Sequence, residues 1–115
     1  NINKGECMYT NVSEHDFINI SEQYKDHKDN FSYYGKKALY KYLVDLEEDI
    51  GEELEMDWIG FCCDYTEWDS RKELLDYYDE KSLDDIMDKT EVVEFKHYTD
   101  IMNDEWCYRY IVRNY

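Results

Sequence analysis

Met56-Asp57-Trp58-Ile59-Gly60-Phe61-Cys62-Cys63-Asp64-Tyr65 is the stretch on which the fold turns. Its residues alternate with period two: Ile59, Phe61, Cys63 and Tyr65 on one face, Trp58, Gly60 and Cys62 on the other. Both faces are apolar or small, which predicts a central strand covered on both sides. Upstream the pattern is helical. Ser13 with Asp16 reads as a capping box, and Phe17, Ile20 and Tyr24 recur at helical spacing, predicting a helix over 14–27. The loop Asp29-Asn30-Phe31-Ser32 leads into a second helix over 34–50, with the stripe Leu39, Leu43, Leu46 and Ile50 facing inward and Gly51 ending it. Downstream, Ser70 with Glu73 and Ser82 with Asp85 cap two more helices, the first turning Leu74 and Leu75 inward and the second, a short one, carrying Leu83, Ile86 and Met87. Strands over 91–98 and 106–113, joined at Asn103-Asp104, close the chain. The order ααβααββ implies an α+β domain: an antiparallel sheet of about three strands with helices packed on it. Residues 1–12 show no periodicity and read as an irregular tail or added edge, leaving 13–115 as one domain.

Composition narrows the class. Hydrophobic residues make up 43% of the 115 positions and aromatics 17%, enough to build a core despite the charge. No run of 18 apolar residues exists, so no membrane span is expected. The N-terminal residues carry no basic segment followed by an apolar one, so no secretory signal is expected either. Cys7, Cys62, Cys63 and Cys107 contain no C-x-x-C pair, and adjacent cysteines in an extended segment point apart. They are expected to be reduced, structural residues of an intracellular protein. A zinc site of His97 and Cys107 with Cys62 or Cys63 lacks the usual close ligand pairs, so neither metal nor cofactor is expected.

The charge is concentrated. Between Asp45 and Glu91 stand 19 acidic residues against 4 basic ones, whereas residues 1–44 are balanced and 92–115 differ by one. Such a block repels itself and would be repelled by nucleic acid and anionic lipid alike. On a helical projection Asp45, Glu48, Asp49 and Glu52 lie opposite the leucine stripe, and Glu53, Glu55 and Asp57 extend the ridge. A second acidic surface is expected from Asp64, Glu67, Asp69, Glu73, Asp76, Asp79, Glu80, Asp84, Asp85 and Asp88, with Trp68 exposed among them and Trp58 and Tyr78 in the core. An acidic helix face is often merely solvated, but such a face interleaves lysines at i,i+4. Between Asp45 and Asp69 there is neither lysine nor arginine.

Catalysis has no comparable signal. No G-x-S-x-G, H-E-x-x-H, P-loop or spaced calcium-loop pattern occurs, and a Cys107–His97 nucleophile pair is weakly supported. No enzyme is expected.

Phe31 to Asp79 reads FSYYGKKALYKYLVDLEEDIGEELEMDWIGFCCDYTEWDSRKELLDYYD. It resembles a family of small acidic proteins encoded by bacteriophages and prophages, whose core is FSYxGxxALxxYLxxLEExxGEExExDxIxxCCDYTEY followed by an acidic helix. The match runs through Tyr33, Gly35, Ala38, Leu39, Tyr42, Leu43, Glu47, Glu48, Gly51, Glu52, Glu53, Asp57, Cys62, Cys63, Asp64, Tyr65 and Glu67, and departs at Trp68, where the family has Tyr. The resemblance implies a phage origin, hence the cytoplasm of a bacterial host. Together with the acidic block it is similar to the DNA-mimic inhibitors, which include antirestriction proteins, anti-CRISPR proteins and inhibitors of uracil-DNA glycosylase. The expected role is an anti-defence inhibitor that fills the basic nucleic-acid groove of a host nuclease, a CRISPR effector or restriction enzyme. Its expected contact residues are Asp45, Glu48, Asp49, Glu52, Glu53, Glu55, Asp64, Glu67, Trp68, Asp69, Asp76, Asp79 and Glu80. The alternative is an interaction or assembly module that uses its aromatic C-terminal hairpin, for instance to pair two copies of itself.

Overall fold

The computed structural model describes residues 12–100, 102–103 and 105–115. Its elements are α1 (Glu14–Glu22), α2 (Tyr33–Ile50), α3 (Trp58–Asp64), β1 (Tyr65–Trp68), α4 (Arg71–Tyr78), α5 (Leu83–Met87), β2 (Val92–Asp100) and β3 (Glu105–Arg113). The domain is α+β, with one three-stranded antiparallel sheet ordered β1-β3-β2. Of the expected tail, residues 1–11 lie outside the described residues. Val12 is buried, and its carbonyl accepts the Tyr40 hydroxyl at 2.7 Å.

The run 56–65 is not a central strand. Asp57 caps a helix there, its carboxylate accepting the Gly60 N–H at 3.1 Å. Trp58, Phe61 and Tyr65 are all buried. The three-residue offset of Trp58 and Phe61 defines a helical face hidden inside the alternating pattern, and Tyr65 follows where the chain turns extended. A short apolar run satisfies both periods, and the cap decides between them. The strand begins only at Tyr65, lasts 4 residues, and lies at an edge of the sheet. The centre belongs to β3, whose Ile111 and Val112 are fully buried.

Two other boundaries differ. Helix α1 stops at Glu22, and turns carry the chain past Tyr24, whose carbonyl accepts the N–H groups of His27 and Lys28. In α2 the inward ridge is Leu39, Leu43 and Glu47, each four residues apart, while Ile50 in the last turn projects past the core and is exposed.

The sheet is covered on both faces. On one, Phe17, Leu39, Leu43, Trp58 and Phe61 from the first three helices pack with Ile111, Val93 and Phe95. On the other, Leu74 and Ile86 from α4 and α5 pack with Tyr110, Val112 and Val92. These helices cover only one end of that face. Toward the hairpin tip Trp106 and Tyr108 remain exposed, with the Lys96 ammonium 4.4 Å from the Trp106 ring centre.

Candidate acidic interface

The acidic ridge starts in the last turn of α2. Gly51, at φ 70°, turns the chain there, a left-handed conformation that suits glycine. Glu48, Asp49, Glu52, Glu53 and Glu55 are all exposed. Among the described residues none of these five has an ion-pair partner. Glu48, Glu52 and Glu53 border a shallow depression of about 270 Å³. The position is electrostatically adverse. A helix C-terminus carries the negative end of the dipole and favours cations, yet the last turn of α2 has no basic residue. Asp45, one turn earlier, is exposed and pairs with Lys41 at 3.2 Å. Asp57 is committed to capping α3.

The second acidic surface is broken up. Glu67 points inward with 3% of its side chain exposed, and accepts from Arg109 at 2.8 Å and from the Ser32 N–H at 2.9 Å. Trp68 is not exposed; it packs against the second core and lies 4.9 Å from the Tyr77 ring and 6.4 Å from the Tyr78 ring. Glu80 is largely withdrawn, pairing with Lys89 and accepting the Tyr115 hydroxyl. Asp76 pairs with Lys72 at 3.0 Å. Asp79, at φ 55°, forms the left-handed cap of α4. Asp64 and Asp69 are exposed. A hydrogen bond between Asp69 and Glu73 holds the first below the ordinary carboxylate range and lifts the second above it. Among the described residues the acids from Glu48 to Glu55 have no ion-pair partner; Asp84, Asp85 and Asp88 have none either, but Asp84 and Asp85 stand in the first turn of α5, where the dipole favours them.

Two charged residues outside the expected contact set are buried. Lys36 pairs with Glu22 and lies over the Trp58 ring, 5.6 Å from its centre. Glu47 accepts the Leu54 N–H, tying the loop after Gly51 back onto α2. The signal for Glu47 was its i+4 offset from Leu43. Lys36 carries no such signal, because the ring above it comes from a distant segment.

The cysteine ideas meet different geometry. His97 and Cys107 stand opposite each other in the β2–β3 register, but no cluster of three or more metal-ligating side chains forms among the described residues. Burial pushes the Cys62 thiol up to about 11, so the thiolate nucleophile is disfavoured there. No described helix is long and apolar enough to cross a membrane.

Fold and surface together define a small α+β domain with a one-signed ridge at the exit of its longest helix. No family model, curated protein or solved structure matches the chain.

Proposed function

We propose that this chain is a phage-encoded anti-defence inhibitor that occupies the basic nucleic-acid groove of a host nuclease, a CRISPR effector or restriction enzyme, in the bacterial cytoplasm. The observation that carries the reading is the row Glu48, Asp49, Glu52, Glu53 and Glu55, exposed, without counter-ions among the described residues and set at the unfavourable end of a helix dipole. A groove built to neutralise phosphates would be steered onto such a row and would regain the favourable electrostatics that the free domain lacks. Trp68 is withdrawn from the contact set and Glu67 with it. Ile50, exposed between Asp49 and Gly51, is the apolar group placed to lengthen the lifetime of the complex.

Capture of the target from a phage-host lysate tests this. Binding should weaken steeply between low and high salt. Reversing Asp45, Glu48, Asp49 and Glu52 to lysine should abolish it. Capture indifferent to salt and to reversal would reject the mimic. That outcome would favour docking through the hairpin, where Trp106 and Tyr108 are 41% and 45% exposed.

A further inference from the structure

Strand β2 runs for nine residues along the edge of the sheet and pairs with β3 alone among the described residues. Free edges are normally blunted by proline, shortness, a bulge or charged side chains. Residues Val92 to Tyr98 carry the charges of Glu94 and Lys96 and no other of these devices: the chain contains no proline, and the irregularity in the pairing falls between Tyr98 and Asp100. The edge is also approachable. An open groove of about 430 Å³ runs between Val92–Phe95 and the flank of α2 at Ala38, Lys41, Tyr42 and Asp45.

The geometry points to a second copy of this chain as the occupant of that edge. The two β2 strands would pair antiparallel about Phe95, joining two three-stranded sheets into one. The register follows from parity and charge. Residues directly opposite in an antiparallel pair share a sheet face, so a two-fold axis normal to the sheet must pass through a residue. Glu94 and Lys96 lie on one face, and Val93, Phe95 and His97 on the other. An axis through Glu94 sets that carboxylate against its own copy, and an axis through Lys96 does the same for the ammonium. An axis through Phe95 sets Glu94 opposite Lys96 of the second copy, twice over, and Val93 opposite His97. Opposite charges across strands stabilise a sheet and like charges destabilise it. Both side chains belong to exposed residues; among the described residues Arg71 lies 3.7 Å from Glu94 and the Trp106 ring lies beneath Lys96. The strand also lies in the part of the chain, residues 92–115, that holds four acids and three bases, so pairing there does not lay one acidic block directly on another. This association does not depend on the ridge acting as a decoy.

Sedimentation velocity on the full chain, from micromolar to millimolar, decides the matter, with circular dichroism confirming that each variant is folded. The wild type should dimerise. Glu94→Lys and Lys96→Glu should each weaken the dimer roughly tenfold by creating two like-charge pairs. The double variant, in which the swapped charges again face their opposites, should recover it. A monomer throughout, a dimer indifferent to both single changes, or a double variant without recovery would each overturn the pairing.

Discussion

Arg109 Nε–H donates to Glu67 Oε2 at 2.8 Å, and 23% and 3% of the two side chains are exposed. The other carboxylate oxygen accepts the N–H of Ser32, the cap residue of α2, at 2.9 Å. One acidic side chain therefore joins β1, β3 and the N-terminus of the longest helix, where negative charge also suits the dipole. An acid that reads as part of a surface proves to be a clamp inside the fold.

Breaking that clamp should cost more than its net contribution as a pair. Arg109→Met leaves a buried carboxylate with the Ser32 N–H as its remaining partner, and should destabilise the domain by about 2–4 kcal/mol. Glu67→Gln keeps an acceptor for Ser32 and should cost less, roughly 1–2 kcal/mol. Urea denaturation measures both. Values within about 0.5 kcal/mol of wild type, as for ordinary surface changes, would show that the pair does not hold the elements together.

Gly35 should reverse the sign of its effect with the state of Glu67. Its N–H donates to the Ser32 hydroxyl at 3.0 Å, and a Cβ there would collide with the Glu67 carboxylate. A carboxylate at the end of a free side chain would swing away, but this one is held by Arg109 and Ser32. Gly35→Ala alone should therefore cost about 1–3 kcal/mol. In a Glu67→Ala background the carboxylate is gone and the Ser32 hydroxyl, 3.1 Å from the new Cβ, is the close neighbour that remains, so the same change should stabilise α2 by up to about 0.5–1 kcal/mol, as alanine does over glycine within a helix. A double-mutant cycle in urea reads the difference directly, and additivity of the two changes would contradict the geometry.

What was legible in the sequence was local. Ser13, Ser70 and Ser82 each accept the backbone N–H three residues on, and Gly51 adopts its left-handed cap, because those interactions lie within one turn. The run 56–65 misleads because Ile59, Phe61, Cys63 and Tyr65 alternate as in a strand, while Trp58 and Phe61, three residues apart, form the buried face of a helix. Its helix is anchored by Asp57 and by a bond from the Trp58 indole to the His27 carbonyl, 31 residues away. The candidate site divides along the same line. Glu48 to Glu55 stand out by the absence of any lysine or arginine nearby in sequence, and they are exposed. Glu67 and Trp68 sit among similar acids, but Arg109 and the Tyr77–Tyr78 pair draw them inward from elements whose placement depends on the whole fold.

Acid stability should depend on Glu22 through Lys36. The hydrogen bond from the Lys36 ammonium, reinforced by its charge, holds the Glu22 carboxyl below its ordinary value of 4.5. A carboxyl lowered on folding contributes stability that is fully present above its unfolded value and is lost as pH falls through the folded one. Wild-type stability should thus decline below about pH 4.5 partly on this account. Lys36→Met replaces a nearly buried ammonium, 4% exposed, with an apolar chain of similar length. It should be close to neutral at pH 7 and should flatten that part of the acid limb. Urea midpoints measured against pH test this; an unchanged acid limb in the variant would dissociate Glu22 from Lys36.

Neutralising the ridge should make the domain more stable and less useful. Glu48 and Asp49 oppose the α2 dipole, and Glu52 and Glu53 crowd further carboxylates beside them with no counter-ion among the described residues. The four changes Glu48→Gln, Asp49→Asn, Glu52→Gln and Glu53→Gln should together raise stability by about 1–2 kcal/mol at low salt. The gain should shrink toward zero near 1 M salt, where the screening length falls to about 3 Å. The same variant should lose its target, unlike Glu67→Gln, which should lose stability while keeping whatever the ridge binds. Thermal denaturation at the two salt concentrations separates these cases. A neutralised ridge that proves less stable at low salt would mean that these acids hold the fold together, and the reason for reading them as a stand-in for phosphate would be gone.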